Sequence, residues 1–244
     1  MGEDPRFLTG LIDLRDVEKA PSDMRENFFL TRGLAAYAVN YLSGVEPKEA
    51  AGAVTDASDD NGIDAVYLHE QNKRFYIVQS KWIKDGTGEP ENGEIKKFVA
   101  GVRDLFNLKL DRFNAKINAK QAMIIQALND PGTRYEVVVA HTGVSKLATP
   151  SQRDLDDLAQ EMNDISEVLF TTVLNQGELH ASLSAGIAGE PINLQIGLKS
   201  WGKRSLLMKR FMDRLVPIRS SIGGRYTGRA FSPAIFGVCL VRLR

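Results

Sequence analysis

Apolar positions recur near a 3.6-residue period between residues 23 and 43. Phe28, Leu34, Ala35, Ala38, Tyr41 and Leu42 fall along one stripe, which predicts a helix over 23–43. Ser22 is the expected N-cap, with Asp23 and Glu26 in the first turns, and Gly44 is the expected stop. Residues 51–62 are rich in Gly, Asp, Ser and Asn and predict a loop. The period then shortens to two. Segments 63–69 and 73–82 carry β-branched and aromatic residues and predict two strands. After a polar stretch over 83–93, residues 94–108 predict an amphipathic helix with Ile95, Phe98, Val102, Leu105 and Phe106 on one face. A second helix is expected over 116–128, a turn at Pro131-Gly132 and a buried strand over 135–140. An acidic helix over 151–163 follows, then strands over 167–173 and 191–198 separated by a helical stretch near 176–186. No internal repeat or low-complexity segment stands out. This order predicts an α/β fold with helices on both sides of a central mixed sheet.

The two strands bring chemistry together. With Gln71-Asn72 at a two-residue tip, Asp64 lies opposite Gln79, Val66 opposite Ile77 and Leu68 opposite Phe75. Alternation then puts Asp64, Gln79 and Lys81 on one sheet face, and Ala65, Tyr67, Tyr76 and Val78 on the other. The Asn72 position of the tip tolerates a positive φ, though Gln-Asn is a weaker turn signal than Asn-Gly. Asp64 offers a hard anionic oxygen to Mg²⁺ or Mn²⁺, and Gln79 an uncharged amide oxygen. Lys81 can stabilise charge developing on a phosphate, or help to orient or deprotonate an attacking water. One carboxylate is a thin metal site, so another acid is expected. Glu26 on the first helix leads, ahead of Asp56, Asp59 and Asp60 in the loop. The plainer alternative is a solvated hairpin face carrying an acid, an amide and a lysine. Against it, the flanking Phe75, Ile77, Val78 and Trp82 are strongly apolar, and a lysine is costly to place in such a strand.

Composition narrows the field. The chain is 43% hydrophobic and 25% charged over 244 residues, which suits a globular protein of one large domain, or one domain with an appendage. A single cysteine, Cys239, excludes an intramolecular disulfide and a cysteine-built zinc site. His69, His141 and His180 show no metal-ligand spacing, and His141 is expected to be structural. No signal peptide or membrane span is legible, so a cytoplasmic location without a membrane partner is expected. Lys96, Lys97, Arg103, Lys109, Arg112, Lys116 and Lys120 make 94–120 basic, either a phosphate-tracking surface or a solvated helix face. Trp82 is expected in the core rather than as a stacking platform. The net charge of zero hides a step: residues 1–200 hold 21 Lys and Arg against 30 Asp and Glu, whereas 201–244 hold 10 against one, Asp213. A boundary near 200 is therefore expected, with a domain over 1–200 and a basic tail over 201–244.

The run TDASDDNGIDAVYLHEQNKRFYIVQSKW, residues 55–82, resembles the catalytic core of the restriction-endonuclease-like PD-(D/E)xK superfamily. It is most similar to the Mrr-like branch, where Gln often replaces the second acid. Within that branch it resembles the N-terminal part of the abortive-infection phage-resistance family, which shares a G-x-D strand and a Q-S-K strand. The resemblance covers 1–200 and implies an α/β/α layered nuclease core and a phage-defence context. It maps Asp64, Gln79 and Lys81 onto the motif, and Glu26 more loosely, with Asp64, Gln79 and Glu26 as metal ligands. The implied activity is Mg²⁺- or Mn²⁺-dependent hydrolysis of nucleic acid, DNA before RNA, with self-association left open. Gln79 departs from the parent pattern and puts catalytic strength in question. A nuclease-like module that binds nucleic acid without turnover, or a regulatory domain of a larger defence protein, is the alternative.

The tail carries two readings. Residues 203–244 hold eight arginines and one acid, which suits a basic nucleic-acid-binding arm. Family members are longer than this chain, and codons permitted for 211–238 can be read in a shifted frame as one uninterrupted string resembling the family's continuation. The second expectation is therefore a frameshifted, truncated end.

Overall fold

The first helix, α1, spans Ser22–Ser43 and stops where Gly44 turns left-handed at φ +73°, its N–H donating to the Asn40 carbonyl at 2.8 Å. This is a computed structural model of the chain, and it describes residues 8–164 and 166–181. The start of α1 differs from expectation. The Pro21 carbonyl already accepts the Arg25 N–H at 2.9 Å, so Pro21 stands at the cap position, and no side chain, Ser22 included, caps the helix. The loop expected from residue 51 is shortened at its beginning by α2, Pro47–Gly52, which uses Pro47 in its first turn.

Strands β1 (Ala65–His69), β2 (Arg74–Lys81), β3 (Arg134–His141) and β4 (Leu169–Leu174) form a sheet in the order β1-β2-β3-β4. β1 and β2 are antiparallel, while β2–β3 and β3–β4 are parallel. A lone antiparallel bridge, Val54 to Ala65, adds a fragment beyond β1. The expected register holds: Val66 pairs with Ile77 and Leu68 with Phe75. The tip is looser than expected. It spans residues 70–73, and Lys73 rather than Asn72 takes the positive φ, +50°. The extra residues fall symmetrically about Gln71-Asn72, so the tip widens without shifting the pairing.

Parallel pairing needs crossovers, and helices supply them. Between β2 and β3 run α3 (Asn92–Phe106), α4 (Ala115–Asn118) and α5 (Gln121–Asn129); between β3 and β4 runs α6 (Thr149–Met162). α3 begins two residues before the predicted start, because Glu91 and Glu94 form a reciprocal capping box. The single helix expected over 116–128 is broken at Ala119-Lys120. The Asn114 side chain caps the short first piece by accepting the Ile117 N–H at 3.0 Å.

The two sheet faces bury separate cores. Val66, Leu68, Phe75, Ile77, Val137 and Val139 pack with Ile95, Phe98 and Val102 of α3, Ile124 of α5, and Leu155 and Leu158 of α6. Ala65, Tyr76, Val78, Val138 and Ala140 pack with Leu34–Val39 of α1. The run Ala35, Ala36 and Ala38 is fully buried and lets α1 lie close against the strands. Tyr41, placed on the apolar stripe by its spacing, is 48% exposed. Residues 176–181 are helical, as expected. The rest of that stretch, the strand expected over 191–198 and the basic tail 201–244 lie outside the described residues. No helix among the described residues is long and apolar enough to cross a membrane.

Candidate active site

The antiparallel ladder continues one step past β1, where the Asp64 N–H donates to the Val78 carbonyl at 2.8 Å. This holds Asp64 beside the end of β2. Asp64 Oδ2 accepts the Ser80 N–H at 2.6 Å and lies 3.0 Å from the Ser80 hydroxyl. That hydroxyl is also 3.0 Å from the Thr31 carbonyl on α1, so its one proton serves one acceptor at a time. The loop before β1 folds back on the same residue: the Thr55 and Asp56 N–H groups both donate to the Asp64 carbonyl, at 2.7 and 3.1 Å.

That fold-back gathers carboxylates. Asp56, Asp60 and Asp64 each offer an oxygen within 4.8 Å of the other two. Each is held by one oxygen only. Asp56 Oδ2 accepts Arg32 Nε at 2.8 Å. Asp60 Oδ1 accepts the Gly62 N–H at 2.8 Å and Lys97 Nζ at 3.1 Å. Asp64 uses Oδ2, on Ser80. The second oxygen of each has no protein donor among the described residues. Asp64 is 7% exposed. Burial first, then the charges of Asp56 and Asp60, push its pKa well above the usual carboxylate range, against the opposing bonds from Ser80.

Arg32 is the counterweight. It is fully buried on α1. Its guanidinium donates to both oxygens of Asp16 at 2.7 Å, to the Asp13 carbonyl at 2.7 Å and to Asp56. The Arg32 contacts hold the Asp16 carboxyl below its usual range.

β2 brings two more groups from the α3 side. Gln79 Nε2 donates to the Glu94 carbonyl at 3.2 Å, while Gln79 Oε1 is buried with no donor among the described residues. Lys81 Nζ forms an ion pair with the Glu94 carboxylate. Asp60, Asp64, Gln79 and Lys81 line one cleft of about 460 Å³, with Asn27 and Thr31 of α1, Trp82, Lys84, Glu94 and Lys97 around them. Trp82, expected in the core, is a half-buried part of this wall.

The structure therefore brings Asp64, Gln79 and Lys81 together and leaves Glu26 out. Glu26 lines a different groove, with Leu14, Arg15, Glu18, Arg25 and Phe29. Its neighbour Asn27 faces the cleft instead, because successive residues are turned by about 100° around a helix. Of the three loop acids ranked behind Glu26, Asp56 and Asp60 join Asp64, whereas Asp59 is exposed at φ +60° and does not. Sequence reasoning missed Arg32, Asn27 and Glu94. Only Glu94 left a signal, the Glu-x-x-Glu spacing at the head of α3.

The arrangement suits a small hard cation. Octahedral Mg²⁺ with bonds of about 2.1 Å places its ligand oxygens about 3 to 4.2 Å apart. Carboxylate oxygens no more than 4.8 Å apart need to close by no more than about 2 Å to reach that spacing. The orphaned Gln79 oxygen is the independent sign of fit: a buried acceptor without a donor costs about 1–3 kcal/mol, and a cation or its water would satisfy it.

Most of the basic run is paired internally: Lys97 with Asp60, Arg103 with Glu161, Lys109 and Arg112 with Asp104, and Lys116 with Asp16. Lys120 donates to the Gly52 carbonyl at 2.7 Å. His141 is fully buried, yet neither ring nitrogen has a partner among the described residues, and burial lowers its pKa. Comparison with protein-family models, curated proteins and solved structures found no match to this chain.

Proposed function

We propose that this chain is a divalent-metal-dependent nuclease of the PD-(D/E)xK kind, hydrolysing the phosphodiester backbone of nucleic acid, DNA before RNA. The observation that carries the reading is one cleft lined by Asp64, Gln79 and Lys81, with Asp56, Asp60 and Asp64 each offering a carboxylate oxygen within 4.8 Å of the other two. The order α1, Val54 bridge, β1, β2, α3, β3, with helices on both faces, is compatible with a restriction-endonuclease-like core. The phage-defence context rests on the resemblance of residues 55–82 to the abortive-infection phage-resistance family.

Asp64, Asp60 and Asp56 would hold Mg²⁺ or Mn²⁺, with Gln79 Oε1 as a further neutral oxygen in the cleft. The ion would supply Lewis-acid charge to the scissile phosphate and acidify a water nucleophile. The chain's own residues do the rest. Lys81 carries a fixed positive charge on the cleft wall, where a phosphate gains negative charge as water adds to phosphorus and the P–O bond to the leaving strand breaks. Lys84 and Lys97 border the same cleft, and Lys84, which has no ion pair among the described residues, would meet a flanking phosphate. Asp64 is fixed from two sides, by Ser80 and by the loop, so little reorganisation is needed to form the site.

The test incubates the full chain with plasmid, single-stranded DNA and RNA under Mg²⁺, Mn²⁺ or EDTA. Cleavage should need the ion, and Lys81→Ala should remove most turnover, about a hundredfold or more, with the fold intact. Cutting by Lys81→Ala at the wild-type rate would show that the site lies elsewhere. No cleavage under any ion, with tight and strongly salt-dependent nucleic-acid binding, would favour a binding module instead.

A further inference from the structure

The head of α3 touches both β2 site residues through a single residue. The Glu94 carboxylate pairs with Lys81 Nζ, and its main-chain carbonyl accepts Gln79 Nε2 at 3.2 Å. The same side chain closes the helix cap: Glu94 Oε2 accepts the Glu91 N–H at 3.3 Å while Glu94 Oε1 faces Lys81. Glu94 is thus fixed at its own end by the capping box and reaches the strand with what remains.

Two consequences follow. Gln79 and Lys81 stand two residues apart on one strand face, and both are steadied from one turn of one helix. Because the Gln79 amide N–H is taken by the Glu94 carbonyl, its oxygen is fixed on the opposite side of the amide, without a donor among the described residues. Lys81 has a long, rotamer-rich side chain that is 43% exposed, so without a partner its ammonium would sample many positions. The Glu94 side chain is 33% exposed, so the pair is open to an incoming phosphate rather than sealed in the core.

We propose that Glu94 is the positioning residue of this site, holding the Lys81 ammonium at the cleft and, through its carbonyl, orienting the Gln79 amide. The proposal rests on the nuclease reading for its catalytic meaning, but the Glu94–Lys81 linkage is measurable without it. In outline, α3 is a clamp whose first turn fixes the β2 residues. Lys97, three residues on, does the same for Asp60 on the loop side.

Glu94→Gln separates clamp from cap, because Gln serves a capping box as well as Glu does but carries no charge for Lys81. Three readouts on the full chain decide. Turnover on plasmid should fall by about tenfold or more, since displacing a catalytic group by an ångström costs on that order. The Mg²⁺ concentration for half-maximal rate should stay within about twofold, because the carboxylate trio is untouched, a split that a general loss of structure would not give. Acetic anhydride labelling read by mass spectrometry should show Lys81 more reactive than in the wild type, by about threefold or more relative to Lys96 as internal reference. Glu94→Asp, which keeps the charge but draws it back by one methylene, should label between wild type and Glu94→Gln. Wild-type turnover and unchanged Lys81 labelling in Glu94→Gln would overturn the proposal. If the wild type cuts nothing, the nuclease reading fails separately, and labelling alone decides: a rise in Glu94→Gln supports the hold on Lys81, and no rise refutes it.

Discussion

Four glycines separate two reasons for having no side chain, and they test how the carboxylate loop is held. Gly62 sits at φ +81°, and a methyl group there would come within 2.9 Å of the Phe98 nitrogen and 3.0 Å of the Phe98 Cα on α3. Gly44 has a similar conformation, φ +73°, but open space around it. Gly101 has no positive φ, yet a methyl group there would overlap the Asn61 carbonyl. Gly93 has neither constraint. Alanine at each position should give a graded series. Gly44→Ala meets only the left-handed penalty, about 1–2 kcal/mol. Gly101→Ala meets only the close approach, about 1–3 kcal/mol for forcing packed backbones apart. Gly62→Ala meets both, about 2–5 kcal/mol if the two add. Gly93→Ala should be neutral or stabilising by up to about 1 kcal/mol, as Ala is the better helix former. At about 2–4 °C per kcal/mol for a chain of this size, Gly62→Ala should melt lowest and Gly93→Ala highest, with Gly44→Ala and Gly101→Ala between them. The loop that runs into Gly62, and packs on α3 at Gly62 and Asn61, carries Asp60, so Mn²⁺ binding should weaken in Gly62→Ala and Gly101→Ala and not in Gly44→Ala. Calorimetry for stability and Mn²⁺ titration by electron paramagnetic resonance would read both. A Gly62→Ala protein that melts with Gly44→Ala and binds the ion like wild type would show that α3 does not brace the loop.

The remaining expectations are briefer. Burial depresses the His141 pKa below its usual value near 6.5, so the unfolded chain takes up the proton first and stability should fall as pH drops below about 6.5, by at most about 1.4 kcal/mol per pH unit. Melting curves from pH 8 to pH 5 on wild type and His141→Leu should show that slope only in the wild type; equal slopes would refute it, with Glu178 the nearby charge acting in the opposite sense. Asp64→Asn should weaken Mg²⁺ by about tenfold or more, since it removes the buried carboxylate, and unchanged calorimetric binding would remove Asp64 from the ligand set. Gln79→Glu should bind Mg²⁺ more tightly yet melt lower without the ion; a variant stabilised in EDTA would refute repulsion from the neighbouring carboxylates.

The hairpin was legible from sequence because its register depends on two local features, the alternation of apolar positions and the centre of the turn. Both survived a change of tip, since residues 70–73 remain symmetric about Gln71-Asn72. Most elements were legible for the same local reason, and boundaries moved where capping chemistry intervened, at Pro21 and at Glu91. The second acid was not legible. Choosing between Glu26 and Asn27 requires the rotation of α1 against the sheet, and that is set by burial of Leu34–Val39 many residues away. The loop acids were ambiguous because Asp, Asn and Gly serve turns as readily as metal sites. Only the loop's path, with Gly62 pressed on Phe98 and the Asp64 carbonyl taking two N–H groups, brings Asp56 and Asp60 back to Asp64.

That path also changes what Gln79 means. Read as a motif, a neutral residue in the second-acid position counts against catalysis. In the folded chain the carboxylates come from the loop instead. Asp56, Asp60 and Asp64 converge, with Asp16 beside them through Arg32 and Glu94 across the cleft. Against these five acids stand Arg32, Lys81, Lys97 and Lys116, with Lys84 on the cleft wall. Arg32 is shared between Asp16 and Asp56, and Lys81 is engaged by Glu94, so the buried Asp64 is left with neutral donors from Ser80 and two carboxylate neighbours. A glutamate at position 79 would put another anion into the cleft that Asp60 and Asp64 already line, and at an effective dielectric near 20 two like charges 4 Å apart repel by about 4 kcal/mol. An amide supplies the oxygen without that repulsion. On the proposed reading, then, Gln79 complements an aspartate-rich loop rather than marking a decayed enzyme. The ion-free and ion-bound stabilities of Gln79→Glu should move in opposite directions, because the added charge is a liability in the empty cleft and a ligand once the dication is bound.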